Sequence, residues 1–134
     1  MLKEALHKLI DFPYITLTDR GNTAIKEALN LAKTKGKRKC VLLDQGGWIT
    51  YTQFAEELGF EIIELETDDC IIDEKNLKNV LDSDSVLLLH SLSGYWYKQP
   101  IDEIYKICQK KNTLLINDCS GSIAEKKLLK GDIL

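Results

Sequence analysis

The apolar residues of this chain fall into two kinds of run. Short, largely unbroken apolar stretches occur at YITLT (14–18), KCVLLD (39–44), EIIELE (61–66), SVLLLH (85–90) and TLLIND (113–118), and each reads as a strand. Between them apolar positions recur at helical spacing. Residues 2–10 place Leu2, Ala5, Leu6, Leu9 and Ile10 on one face, predicting a short N-terminal helix within residues 1–12, before the DFP break. TAIKEALNLAKTKGK sets Ala24, Ile25, Ala28, Leu29, Leu31 and Ala32 on a broad face and stops near Gly36. WITYTQFAEELG (48–59), ended by Gly59, DEKNLKNVL (73–81) and PIDEIYKICQKK (100–111), with Pro100 near its first turn, complete the predicted helices.

Strands that lack polar alternation, each followed by a helix, are what a parallel sheet covered on both faces requires. The pattern predicts an α/β fold, doubly wound, with a mostly parallel sheet and helices on both faces. With 134 residues and no linker, repeat or low-complexity segment, residues 1–134 read as a single domain with a real core.

Composition narrows the partners. At 44% hydrophobic and 29% charged residues the chain has a globular balance, and a net charge of −3 with only two arginines, Arg20 and Arg38, gives no electrostatic reason to expect nucleic acid. No apolar run approaches the roughly 20 residues that span a membrane, and MLKEALHKLI is amphipathic rather than signal-like, so a cytoplasmic protein is expected. Cys40, Cys70, Cys108 and Cys119 are scattered without a CxxC pair or a histidine cluster. That spacing speaks for free, reduced thiols and against a zinc site.

In open α/β sheets ligands sit beyond the carboxyl ends of the strands, which directs attention to DRGNTA, DQGGW, HSLSGYW and NDCSGS. Gly21, Asn22 and Thr23 open a helix, where unpaired N–H groups favour an anion such as phosphate; plain capping by Asn22 is the alternative. Trp48 can wall a planar ligand or pack its helix onto the sheet. Asp118 can hold a protonated ring nitrogen or cap a helix after CSGS. His90, Ser91, Ser93, Gly94 and Tyr95 form a further polar loop able to hydrogen-bond a ring hydroxyl or a substrate. Nucleotide motifs are missing: there is no GxGxxG after the first strand and no GxxxxGK[ST].

In order, these loops resemble the large domain of the fold-type I pyridoxal 5'-phosphate (PLP) enzymes, the aspartate aminotransferase superfamily. GNTA (Gly21 to Ala24) is similar to the G-[ST]-x-A helix start that holds the cofactor phosphate. QGGWITYTQFAEELG resembles P-x-Y-x-x-Y-x-x-x-A-x-x-x-G, with Trp48, Tyr51, Ala55 and Gly59 at its spacing. HSLSGYWYKQP through LLINDCS resembles the segment from the N-P-x-N-P-T-G-type loop to the aspartate paired with the pyridine nitrogen. The resemblance covers residues 14–134, and DCSGS followed by KGDIL is most similar to the branch of DegT/StrS-type sugar aminotransferases, selenocysteine-synthase-like enzymes and cysteine/methionine-metabolism enzymes. It implies a PLP site of Gly21, Asn22, Thr23, a stacking Trp48, Ser91, Asp118 and Ser120.

Two departures stand out: Ser91 replaces the asparagine that many members carry, and Gly47 the proline before the aromatic. A third is larger. In the family an element like KGDIL leads within a few residues to S-x-x-K, whose lysine forms the Schiff base, and this sequence has no such lysine. The resemblance also implies that YITLT belongs in the sheet, separated from TLLIND by two strands not present in the sequence. The expectation is therefore an N-terminal half of a PLP-dependent aminotransferase-like enzyme for an amino acid or amino sugar, lacking the catalytic lysine. A second polypeptide, supplying the rest of the large domain and the small domain, or self-association would complete it. The alternative is a non-catalytic scaffold or regulatory subunit of the same fold.

Overall fold

The computed structural model describes residues 2–94 and 96–134; the candidate residue Tyr95 lies outside the described residues. In chain order the elements are α1 (Leu2–Ile10), α2 (Gly21–Thr34), β1 (Lys39–Leu43), α3 (Thr50–Glu57), β2 (Glu61–Leu65), α4 (Glu74–Val80), β3 (Ser85–His90), β4 (Leu92–Ser93), β5 (Tyr97–Lys98), α5 (Ile101–Lys111) and β6 (Leu114–Asp118). A 3-10 turn, Lys126–Leu128, comes after β6.

Four strands form one sheet in the order β2-β1-β3-β6, every pair parallel, while β4 and β5 make a small antiparallel hairpin. Opposite faces of the sheet bury different residues, as period-2 geometry demands. Val41, Leu65, Leu87, Leu89 and Leu115 pack with Leu77 of α4 and Ile104 and Cys108 of α5. Cys40, Leu42, Val86, Leu88 and Ile116 pack with Leu29 and Ala32 of α2 and Tyr51 and Ala55 of α3. β3 is buried along its whole length, which accounts for SVLLLH having no polar alternation.

Local chemistry sets the helix ends. Asp73 caps α4 by accepting from the Asn76 amide at 2.9 Å, and Asn112 ends α5 in the left-handed conformation. Register then levels the ligand edge: His90, last in β3, lies opposite Asp118, last in β6.

One predicted strand does not form. YITLT is irregular, with Tyr14 90% and Leu17 48% exposed. A strand needs a ladder partner, and the outer edge of β6 is already taken: Ile133 bridges Ile116 in parallel, Asn117 donates its amide to the Ile133 carbonyl at 2.9 Å, and the Asp132 carboxylate accepts the Leu115 amide at 2.7 Å. The β4–β5 hairpin was not expected from the sequence.

All four cysteines are free, with Cys40, Cys108 and Cys119 buried. Burial pushes the Cys40 and Cys108 thiols up to about 12, Cys108 with help from Asp132, and Cys119 up to about 11. At about pH 8 each would then be thiolate in at most roughly one molecule in a thousand. A thiol-reactive disulfide reagent is expected to modify only half-buried Cys70 in the native chain, and all four after unfolding. Rapid native modification of two or more would contradict this packing. Among the described residues no helix is long and apolar enough to cross a membrane.

Candidate functional site

Beyond the carboxyl ends of β3 and β6 lies a trough of about 540 Å³, lined by Gly21, Asn22, Trp48, Asp118 and Ser120 at its polar end. Its remaining wall is apolar and includes Ile25 and Ala28 of α2, Leu88 of β3 and Ile116 of β6, with Leu6 and Ile10 of α1 lying across it. Ile15 and Thr16 of the irregular segment also contribute to the wall.

Helix α2 begins at Gly21, and the residue preceding it, Arg20, supplies no side-chain cap. Asn22 is not the cap that the sequence allowed. Its Oδ1 instead accepts from the Trp48 indole Nε1 at 3.2 Å and from Thr50 Oγ1 at 3.3 Å. The first turn of α2 therefore presents N–H groups at the positive end of a 14-residue helix without a side-chain oxygen capping them. Asn22 ties that turn to the start of α3 and fixes the edge of the half-exposed Trp48 ring.

Asp118 closes the opposite end. Its Oδ1 accepts the Ser120 amide at 3.0 Å and its Oδ2 the Tyr51 hydroxyl at 2.6 Å, so no helix is capped by it; the DCSGS segment folds as turns. Two donors and a partly open position orient a carboxylate toward the trough.

Two of the seven candidate side chains do not line the trough. Thr23 donates its hydroxyl to Asp19 Oδ1 at 2.6 Å, which is the largest cause holding the Asp19 carboxyl below its usual range. Ser91 is fully buried, its Oγ 2.6 Å from Ser122 Oγ, and its amide donates to the Asp118 carbonyl at 3.3 Å. Ser91 thus braces the loop that carries Asp118. His90 Nδ1 lies 2.7 Å from the Leu92 carbonyl, and Ser93 donates to the His90 carbonyl, so both hold their own loop together.

The sequence reading did not mark Tyr51 or Arg20 as part of the site. Arg20 lines the trough beside Gly21. Tyr51 was legible as the second aromatic of the QGGWITYTQFAEELG pattern, but its bond to a residue 67 positions away needed the fold. Among the described residues no lysine lines the trough.

No family model and no curated protein matches the sequence. Solved structures do match the fold. A tetra mutant of Thermus thermophilus aspartate aminotransferase superposes with a TM-score of 0.71 over 87% of this chain and 35% of its own, at 15% identity. An aromatic amino acid aminotransferase with 3-indolebutyric acid gives 0.71 over 95% of this chain and 39% of its own, at 18% identity. The ureidoglycine-glyoxylate aminotransferase of Bacillus subtilis gives 0.66 over 90% and 33%, at 19% identity. This chain shares the α/β fold of part of each of these structures and spans between 33% and 39% of their length.

Proposed function

We propose that the chain is the N-terminal portion of a PLP-dependent aminotransferase-like enzyme, acting on an amino acid or amino sugar once a second polypeptide or a second copy completes it. The single observation that carries this reading is the trough itself: one cavity brings together an uncapped helix start at Gly21, the Trp48 ring and the Asp118 carboxylate. Each matches one part of the cofactor. The N–H groups at Gly21 and Asn22, with Arg20 beside them, suit a phosphate. Trp48 offers a flat apolar face to the ring, and Asp118 an acceptor for a pyridinium N–H.

When bound, the cofactor supplies an electron sink for bond breaking at the α- or β-carbon of an amino acid. The chain's own contribution is to bind, orient and hold a proton. Asp118, oriented by Ser120 and Tyr51, keeps the proton on the ring nitrogen. Asn22 holds Trp48 against rotation, and the apolar wall of Ile25, Leu88 and Ile116 keeps water from one side. A lysine serving as covalent anchor and base is expected from the completing chain, in keeping with a trough that no described lysine lines.

That same lack of a lysine favours the second reading, a scaffold or regulatory subunit of this fold. Titration of the purified chain with PLP, followed by borohydride reduction and peptide mapping, separates the two. Saturable binding with no specifically reduced lysine among the 16 present is the expected result. Absence of binding would overturn the enzyme reading and leave the scaffold; one specifically trapped lysine would show that the chain carries its own anchor.

A further inference from the structure

We infer that Asp19 is a built-in counter-anion at the phosphate end of the trough: its carboxylate holds the Thr23 hydroxyl and the Arg20 guanidinium until a phosphate takes them over. The inference rests on the PLP reading above and adds to it a residue that sets which anions the site accepts.

Three observations carry it. Both oxygens of Asp19 are engaged at the start of α2: Thr23 Oγ1 donates to Oδ1 at 2.6 Å, and Arg20 Nε lies 3.4 Å from Oδ2. The Thr23 hydroxyl above all, with smaller help from Arg20, holds the Asp19 carboxyl below its usual range, so the group is charged at neutral pH. Next, the donors spent on Asp19 are the ones a phosphate at Gly21 would use. Among the described residues Arg20 is the one cation lining the trough, while Thr23, two residues after Gly21, does not line it and turns its hydroxyl to Asp19 instead. Finally, Lys26, one turn further along α2, is engaged elsewhere, donating to Glu57 Oε2 at 2.6 Å.

The contact is one that a ligand can break. The Asp19 and Arg20 side chains are 64% and 74% exposed, and an ion pair open to water is weak. A phosphate monoester brings a charge of about −2 and three acceptor oxygens, against one charge and two oxygens on the carboxylate. It can take over Arg20 and Thr23 and gain the N–H groups of Gly21 and Asn22 as well. A small monoanion offers these donors nothing that Asp19 does not already supply. Asp19 thus lowers the affinity for every anion, and leaves a phosphate monoester able to displace it.

The test is a set of binding titrations on the full chain, with PLP and with pyridoxal, which lacks the phosphate. Asp19→Ala is expected to tighten PLP binding roughly threefold to tenfold, the scale of one exposed charge contact together with one released hydroxyl, and to leave pyridoxal binding unchanged. In a Thr23→Val background the same substitution should gain less, because no hydroxyl is left to release. An Asp19→Ala chain that binds PLP no more tightly than the parent overturns the inference, while the PLP reading stands. So does an equal gain for pyridoxal, which would not pass through the phosphate, and so does a gain undiminished by Thr23→Val, which would mark a long-range charge effect only. A parent chain that does not bind PLP removes the PLP reading itself and this inference with it. Should Asp19→Ala fail to fold, Asp19→Asn, which keeps the shape and loses the charge, answers the same question. A smaller gain confined to PLP supports the inference there, and an unchanged PLP affinity overturns it.

Discussion

Gly46→Val is expected to destabilise the chain by about 2–6 kcal/mol, a sizeable part of the roughly 5–15 kcal/mol that holds a domain of ordinary stability together. Two separate costs add. Gly46 follows β1 with φ +78, a region that β-branched residues enter only with strain of about 1–3 kcal/mol. Even the first carbon of a side chain there would stand 2.9 Å from Ser93 Cβ and 3.1 Å from Cys70 Cβ, and overpacking of that sort costs a further 1–3 kcal/mol or so. Neither neighbour can step aside freely. Ser93 Oγ accepts from Gln99 Nε2 at 2.6 Å, and Gln99 also bonds the Cys70 carbonyl and the Ile72 amide, so one buried glutamine locks both walls of the glycine's slot. Urea unfolding followed by circular dichroism measures the loss. Gly36→Val is a fitting control, since Gly36 has φ +81 but open space around it and should show the backbone cost alone. Equal losses at the two positions would mean that the crowding at Gly46 is relieved at no cost.

The slot shows where sequence reasoning reaches and where it stops. QGG could be recognised as a turn, but the crowding of Gly46 depends on Ser93 and Cys70, 47 and 24 residues further on. Strands β1, β3 and β6 were legible because burial on both faces leaves an apolar run that needs no knowledge of neighbours. YITLT carried the same signal and failed, since β-propensity expresses fit to a sheet and the outer edge of β6 is occupied by the segment around Ile133. The candidate site divides in the same way. Gly21, Asn22, Trp48, Asp118 and Ser120 could be marked from their position just after strands or at helix starts, and they share one trough. Short hydroxyl side chains were harder to read. Thr23 turns to Asp19 four residues back and Ser91 to Ser122 thirty-one residues ahead, and a side chain with one donor has little capacity left once it has such a partner. Asn22 lines the trough, and its oxygen accepts from the Trp48 indole rather than capping the helix, a partner 26 residues away that the sequence could not reveal.

Asp118→Ala should reduce PLP affinity roughly 100-fold while leaving the fold intact. The binding estimate follows from the usual loss of about 2–5 kcal/mol when one partner of a desolvated, hydrogen-bonded charge pair is cut back. The stability cost is smaller. Asp118 is half-buried at the end of an edge-proximal strand, and its removal leaves the Tyr51 hydroxyl and the Ser120 amide without the acceptors they now have, about 1–2 kcal/mol if water replaces the carboxylate only in part. Equilibrium dialysis with PLP and a melting curve on the same sample separate the two effects. The comparison reaches beyond the single residue because the competing functions differ in what they ask of it. A scaffold needs Asp118 only to satisfy Tyr51 and Ser120, and asparagine would serve nearly as well. A cofactor site needs the negative charge. If Asp118→Asn keeps the melting temperature of the parent yet loses most of the affinity lost in Asp118→Ala, the charge is retained for a cationic ring; if the asparagine chain binds PLP as the parent does, Asp118 is a structural acceptor and the enzyme reading loses its chemical core.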